Sequence, residues 1–159
     1  AKGAGPRHLA FNPAESNQFA VINENNSTVN YYQKGEDFDI RRLDSLSTLP
    51  ADFKANNSCA DIHFHPNGKF LYGSNRGHNS IVVYAVDTQT GKLMLLQHQS
   101  TRGEIPRNFL VTPDGKWLLA ANQNSSTVAA FHIDAATGLL SPAGEPSAVP
   151  TPVCLKLLM

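Results

Sequence analysis

The amino-acid sequence predicts an all-β fold: a β-propeller of about three four-stranded antiparallel blades, followed by one inner strand of a further blade. The main observation is an internal repeat of roughly 50 residues, marked by the turn prolines Pro13, Pro66 and Pro113. Each repeat carries short apolar segments around tight turns such as Asn67-Gly68. The chain also holds 10 prolines and 11 glycines, which favour many short elements over long helices.

The repeats divide the chain, a single partial propeller domain over residues 1–159, into blades near 6–50, 59–100 and 105–145. In each blade the first strand ends at the turn proline, which Asn-Gly or Asp-Gly follows in the second and third blades and so allows the positive φ of a hairpin. The second strand is short and apolar, and the third alternates β-branched and aromatic residues. In the second and third blades a Thr-Gly turn leads to the fourth strand. A β-sandwich is the competing all-β architecture, but it does not predict near-identical four-stranded units.

The tail of the chain predicts part of a fourth blade. Residues 149–159 resemble another first strand, with Pro152 and Cys154 where an earlier repeat has Pro6 and His8. Three blades cannot close a ring, because closed propellers have at least about four. We therefore expect either a missing N-terminal half or a second copy of the chain to complete the ring.

Composition excludes several classes of partner. The chain has 13 basic and 13 acidic residues, so its charge gives no reason to expect nucleic acid or an anionic membrane. Its apolar runs reach about six residues, which is too short for a membrane span. The two cysteines, Cys59 and Cys154, do not form a disulfide framework, and we expect free thiols in a reducing, cytoplasmic compartment.

Polar residues are predicted to collect at one rim of the propeller. Strands one and two of a blade are antiparallel, so the start of the first and the end of the second lie at the same rim. That rim holds Arg7, His8, Glu24, Asp61, His63, Arg76, His78, Arg107, Asn108 and Gln123. The planar guanidinium of arginine suits carboxylate or phosphate, so the rim predicts an anionic ligand.

Several ordered motifs resemble the lactonase family of seven-bladed β-propellers. They are Gly3-Ala-Gly-Pro-Arg-His-Leu-Ala-Phe, Asn23-Glu-x-Asn-Ser-Thr-Val, Ala60-Asp-Ile-His-x-x-Pro-Asn-Gly-Lys-Phe-Leu-Tyr, Ser74-Asn-Arg-Gly-His-Asn-Ser-Ile and Thr112-Pro-Asp-Gly-Lys-Trp-Leu-Leu-Ala-Ala-Asn-Gln. The resemblance covers nearly the whole chain and matches the C-terminal half of such a protein. It implies hydrolysis of a small anionic lactone such as 6-phosphogluconolactone, in the pentose phosphate pathway, without a cofactor.

The predicted site combines this resemblance with the residues of the rim. The expected catalytic residues are Glu24, Arg76 and His8, and the expected substrate-binding residues are Arg7, His63, Arg107 and Asn108. Arginines would hold the anionic group and polarise the lactone carbonyl, while Glu24 or a histidine activates water. Glu24 stands where the other repeats have Arg76 and Gln123, so blade packing alone does not fix it. No metal is expected, because the histidines lack tight metal-ligand spacing.

Two alternatives to hydrolysis stay open. A carboxymuconate-type lactonizing cycloisomerase would use the same electrostatics in the opposite direction. A non-catalytic binding module is the other, because the propeller fold supports many unrelated functions. For the histidines, we match His8 and His63 with Asn108 between repeats, and a hydrogen bond shared by the blades is an alternative to catalysis.

Overall fold

The computed structural model describes residues 2–158, which form three antiparallel sheets packed side by side. These residues contain no α-helix, and the helical structure there is one short 3₁₀ helix, Glu36–Phe38. None of the chain between residues 2 and 158 forms a helix with the length and hydrophobicity needed to cross a bilayer.

The first four strands of each sheet pair in the order of the chain, and the short β13 at the end of the third sheet pairs with β11. The first sheet contains β1 (Pro6–Phe11), β2 (Gln18–Asn23), β3 (Thr28–Lys34) and β4 (Ile40–Ser47). The second contains β5 (Ser58–Phe64), β6 (Phe70–Arg76), β7 (Ser80–Asp87) and β8 (Lys92–Ser100). The third contains β9 (Pro106–Val111), β10 (Trp117–Asn122), β11 (Thr127–Ile133), β12 (Leu140–Pro142) and β13 (Ser147–Ala148). Three meandering four-stranded units of this kind are consecutive propeller blades.

The outer edge of the third sheet is divided between two short strands. β12 pairs with the C-terminal part of β11, and β13 pairs with its first residues, Thr127 and Val128. Pro142 and Pro146 flank the break, and proline cannot donate a hydrogen bond to a strand ladder. This edge is therefore formed by two separate strands, the second of which ends at Ala148.

The turn chemistry expected from the sequence is present. Gly68 and Gly115, which close the first hairpins of the second and third sheets, have φ values of 72° and 71°. Gly91 and Gly138 of the Thr-Gly turns have φ values of 70° and 72°. These are left-handed conformations that glycine adopts without a steric penalty.

The hydrophobic core consists of two interfaces between sheets rather than one central cluster. Leu71, Val82 and Tyr84 of the second sheet pack against the first sheet. The alternate residues of the same strands, including Tyr72 and Val83, pack against the third sheet. Because successive side chains of a strand point to opposite faces, the middle sheet is apolar on both. This packing confirms the predicted partial propeller.

The outer face of the first sheet has no neighbour among the described residues. Leu9 is 56% exposed and Phe11 is 60% exposed, and Phe11 contacts Phe19, which stacks on Tyr32. Residues 149–158 are not in a strand within this chain. A strand needs a pairing partner, so the closing strand predicted for 149–159 concerns a ring completed by further blades and stays a prediction.

Candidate active site

A cavity of about 750 Å³ opens where the first strands of the three sheets meet. Its wall is made of residues of β1, β5 and β9, with Val21 of β2 and two residues of the tail. The polar lining residues are Arg7, His8, Asp61, His63, Asn108, Cys154 and Lys156. The cavity is thus built across three blades at the rim where the sequence predicted the polar side chains to collect.

Asp61 lies at the centre of this polar group, with its side chain 5% exposed. Its Oδ1 is 2.8 Å from His8 Nδ1 of the first sheet, and its Oδ2 is 3.2 Å from His63 Nε2 of its own strand. The Asn108 amide of the third sheet donates to the same Oδ2 at 2.6 Å. One carboxylate therefore connects side chains from all three blades.

Two backbone groups complete the surroundings of this carboxylate. The Ile62 N–H donates to Oδ1 at 3.0 Å, and the Phe109 N–H donates to Oδ2 at 3.2 Å. Burial by itself would raise the pKa of Asp61, but the hydrogen bonds from His63, His8 and the Phe109 backbone hold that pKa well below its usual range. Asp61 is therefore ionised at neutral pH.

The charge on Asp61 bears on how the two ring nitrogens beside it can bond. An ionised carboxylate accepts hydrogen bonds but cannot donate them, so its contacts suit a proton on His8 Nδ1 and on His63 Nε2. The other nitrogen of His8, Nε2, is 3.3 Å from Arg7 Nη1, which can only donate. This contact suits a His8 tautomer that carries its lone pair on Nε2, and the His8 side chain is 45% exposed.

Arg7 belongs to a second cluster that adjoins the cavity. Its Nη1 donates to the Ala60 carbonyl at 2.6 Å, and its Nε is 3.9 Å from Glu24 Oε2. Arg76 Nη2 donates to the other Glu24 oxygen and, at 3.1 Å, to the Cys59 carbonyl. Burial and the neighbouring Arg76 charge lower the pKa of Arg7. Two guanidiniums thus share one carboxylate, which leaves the cluster with an excess of positive charge.

The predicted site residues are brought to one region but play unequal parts in the cavity. Its lining includes Arg7, His8, His63 and Asn108 but not Glu24 or Arg76, which lie behind Arg7. Arg107 is half-buried and close enough for its charge to lower the pKa of Arg7, although it is outside the lining.

The structure corrects one match between the repeats. Counted back from the turn prolines, the equivalent positions are His8, Asp61 and Asn108, whereas His63 corresponds to Ala10 and Leu110. His8 pairs with Ile22 and Asn108 pairs with Ala121, while the Asp61 N–H donates to the Ser74 hydroxyl. The predicted equivalence of His8 and His63 is therefore wrong. The same count identifies Asp61 as the residue of the second blade at this position. The sequence analysis placed Asp61 at the rim but not among the predicted catalytic or substrate-binding residues.

The tail supplies the other residues that the sequence prediction missed. The Leu155 N–H donates to Asn108 Oδ1 at 2.7 Å, which holds the tail across β9. Cys154, at the repeat position of His8, and Lys156 consequently line the cavity. The match of Cys154 with His8 was the available signal. Within residues 2–158 no three His, Cys, Asp or Glu side chains are arranged to hold a metal ion.

The chain resembles a family of known fold. The family model described as lactonase, 7-bladed β-propeller, matches residues 1–157. A 6-phosphogluconolactonase of Bacillus subtilis (strain 168) is 35% identical over 158 residues, which cover 99% of this chain and 45% of that protein. A 6-phosphogluconolactonase of Yersinia pestis (strain Pestoides F) is 39% identical over 112 residues, covering 69% of this chain and 32% of that protein.

A solved structure has the same arrangement of blades. The periplasmic gluconolactonase PpgL of Pseudomonas aeruginosa superposes with a TM-score of 0.92 at 30% identity, covering 98% of this chain and 43% of that one. The chain therefore spans less than half the length of the relatives it matches.

Proposed function

The chain belongs to the lactonase family of seven-bladed β-propellers, and from that membership we propose that the protein hydrolyses a sugar lactone, with 6-phosphogluconolactone as the substrate. The observation that carries the proposal is the pair formed by Arg7 and His8 at the cavity. A guanidinium donor and an imidazole nitrogen lie 3.3 Å apart at Arg7 Nη1 and His8 Nε2.

This pair can supply the two functions that lactone opening needs, stabilisation of the oxyanion and transfer of the proton. Arg7 donates to the lactone carbonyl oxygen and stabilises the negative charge that develops there as water attacks the carbonyl carbon. His8 Nε2 accepts the proton of that water. The tetrahedral intermediate collapses with cleavage of the ring C–O bond, and the imidazolium returns its proton to the departing ring oxygen. The products are a carboxylic acid, which ionises, and an alcohol on the same chain.

Glu24 and Arg76 support this chemistry from behind Arg7. Glu24 was expected from the sequence to transfer a proton, with Arg76 beside it. Its two oxygens face the guanidiniums of Arg7 and Arg76, and Glu24 is not among the residues that line the cavity. We propose that Glu24 fixes the direction of Arg7 and that Arg76 restrains Glu24.

The charged residues around the cavity favour a phosphorylated substrate. Arg107 and Lys156 add positive charge near the cavity, and His63 and Asn108 offer polar contacts at its wall. A sugar phosphate carries more negative charge than the free sugar, so electrostatic complementarity predicts preference for the phosphorylated lactone. The 6-phosphogluconolactonase names of the Bacillus subtilis and Yersinia pestis relatives support the same choice.

We also propose that further blades of the same protein complete the ring. The described residues form three sheets, the family model has seven blades, and the chain spans 45% of the Bacillus subtilis relative. Both cysteines are free, with Cys59 buried and Cys154 exposed, which supports a reducing, cytoplasmic setting.

The proposal is tested by lactone hydrolysis with the complete protein that contains this chain. Ring opening of 6-phosphogluconolactone and of unphosphorylated gluconolactone is followed by release of acid, with the spontaneous rate subtracted. We expect the protein to catalyse both reactions, and its kcat/KM should be at least about tenfold higher for the phosphorylated substrate.

The Arg7→Met variant should lower kcat/KM for 6-phosphogluconolactone by about 100-fold. Arg102→Met, which changes an exposed arginine paired with Glu145, is the matched control. A wild-type rate equal to the spontaneous rate would refute the proposed function.

A further inference from the structure

We propose that Asp61 is a positioning residue that holds His8 as the tautomer protonated on Nδ1, so that Nε2 keeps the lone pair that accepts a proton at the cavity. The proposal deepens the proposed function and rests on His8 being the base. It assigns Asp61 a role that depends on its negative charge as well as on the contacts that join the blades.

The geometry around His8 favours the tautomer that is protonated on Nδ1. The Asp61 carboxylate can only accept, so the 2.8 Å contact to Nδ1 requires a proton on that nitrogen. Arg7 can only donate, so the 3.3 Å contact to Nε2 requires a lone pair on that nitrogen. An acceptor on one side of the ring and a donor on the other thus select the same protonation state.

The carboxylate is itself held by groups on two sheets. Ile62 N–H fixes Oδ1 from the same strand, while Asn108 Nδ2 and Phe109 N–H fix Oδ2 from the third sheet. These donors stabilise the ionised form and leave it little freedom to rotate. The Oδ1 that faces His8 therefore keeps its place when a ligand enters the cavity.

A purely structural contact between blades would not need this arrangement. Most polar atoms that join the sheets elsewhere are neutral, as in the Asn75 amide that donates to the Thr48 carbonyl. Asp61 instead buries a charge, which is costly unless it is paired. One of its hydrogen bonds goes to an imidazole that is 45% exposed at the cavity, where a structural bond would contribute least to stability.

The tautomer of His8 is measured directly in the complete protein labelled with 15N-histidine. Long-range 1H–15N spectra near pH 8 distinguish the two neutral tautomers, and the His8 signals are those absent from a His8→Gln sample. We expect the Nδ1-protonated form in the wild type. Finding His8 protonated on Nε2 would overturn the proposal, whether or not the protein hydrolyses lactones.

Variants then separate the charge of Asp61 from its contacts. Asp61→Asn should give a mixture of His8 tautomers and lower kcat for 6-phosphogluconolactone by about 100-fold, with KM changed less than about threefold. Asp61→Glu, which keeps the charge, should restore part of the activity and of the Nδ1-protonated form. If Asp61→Asn does not fold, Asp61→Glu and the wild-type spectrum still decide the question.

Ser74→Ala is the matched control. It removes the acceptor of the Asp61 backbone N–H and leaves the carboxylate in place. We expect the wild-type tautomer and kcat in this variant. Equal loss in Ser74→Ala and Asp61→Asn, or a wild-type tautomer in Asp61→Asn, would overturn the proposal. Failure of lactone hydrolysis in the wild type with the expected tautomer would instead refute the proposed function alone.

Discussion

At the scale of single residues, the site depends on a few charged groups whose neighbours fix their state. Asp61 is ionised because five donors outweigh its burial, and we propose that this charge selects the tautomer of His8. Glu24 is shared by two arginines, and the shared carboxylate directs Arg7. Hydrogen bonds to charged groups contribute about 1.5–3 kcal/mol each, more than neutral ones, so substitutions here have effects that assays resolve.

Glu24→Gln should lower kcat/KM for 6-phosphogluconolactone by about 100-fold, because the carboxylate that holds Arg7 becomes a neutral amide. The pH dependence of the remaining activity should resemble that of the wild type, since His8 stays the base. Glu145→Gln removes an exposed ion pair with Arg102 and serves as the matched control. A pH profile that loses a limb in Glu24→Gln would show that Glu24 transfers the proton instead.

Asp61 should make the free energy of unfolding depend on pH in the acidic range. Its pKa is lower in the folded state than the ordinary value near 4, so it stabilises the fold at neutral pH and loses that contribution as the pH falls below about 4. Urea unfolding of wild type and Asp61→Asn should therefore differ most at pH 7, and less at pH 3. A difference that is the same at both pH values would contradict this.

At the scale of elements, the turns between strands set how closely the blades approach. Glycines of these turns have positive φ and lie against the preceding sheet. A Cβ added to Gly138 would be 2.4 Å from the Phe70 ring, and one added to Gly115 would be 2.6 Å from His65 Nε2. The Asn-Gly, Asp-Gly and Thr-Gly turns thus satisfy a local conformation and a contact between blades at once.

Gly138→Ala should destabilise the protein more than Gly144→Ala. Both glycines have similar positive φ, 72° and 68°, so the cost of the left-handed conformation is the same. A Cβ on Gly144 meets nothing within 4 Å, whereas one on Gly138 meets a buried ring. We expect a difference of about 1–3 kcal/mol in the free energy of unfolding. Equal destabilisation would show that the Phe70 ring moves aside at little cost.

The strands and turns could be predicted from the sequence because their signals are local. The spacing of the turn prolines and the glycine turns identify the blades, and the short apolar segments between the turns identify their strands. The Asp61 contacts were not predicted, because they join residues about 50 positions apart and need the register between blades. The approach of Lys156 to the cavity depends on the hydrogen bond from the Leu155 N–H to Asn108 Oδ1, which no residue pattern predicts.

At the scale of the whole molecule, the site exists because consecutive blades bring equivalent positions of their first strands together. His8, Asp61 and Asn108 come from three sheets and meet at one cavity. The repeat therefore produces a site in which each blade supplies a different side chain at the same place. The same stacking leaves apolar faces where the next blades would pack.

The 159-residue chain by itself should associate or aggregate. Leu9 and Phe11 are 56% and 60% exposed on the outer face of the first sheet. Exposed apolar strands of this kind favour contact with another chain. Light scattering should give a mass above 17.2 kDa. A folded, monodisperse species at that mass would contradict the proposal that further blades are needed.

The role of His8 as the base is tested most directly by the kcat of a His8→Gln variant of the complete protein with 6-phosphogluconolactone. Glutamine keeps a polar side chain on β1 but cannot accept a proton from water, so we expect kcat to fall by at least about 100-fold. His132→Gln, which changes an exposed histidine packed against Trp117, should behave as the wild type. Wild-type kcat in His8→Gln would contradict the mechanism.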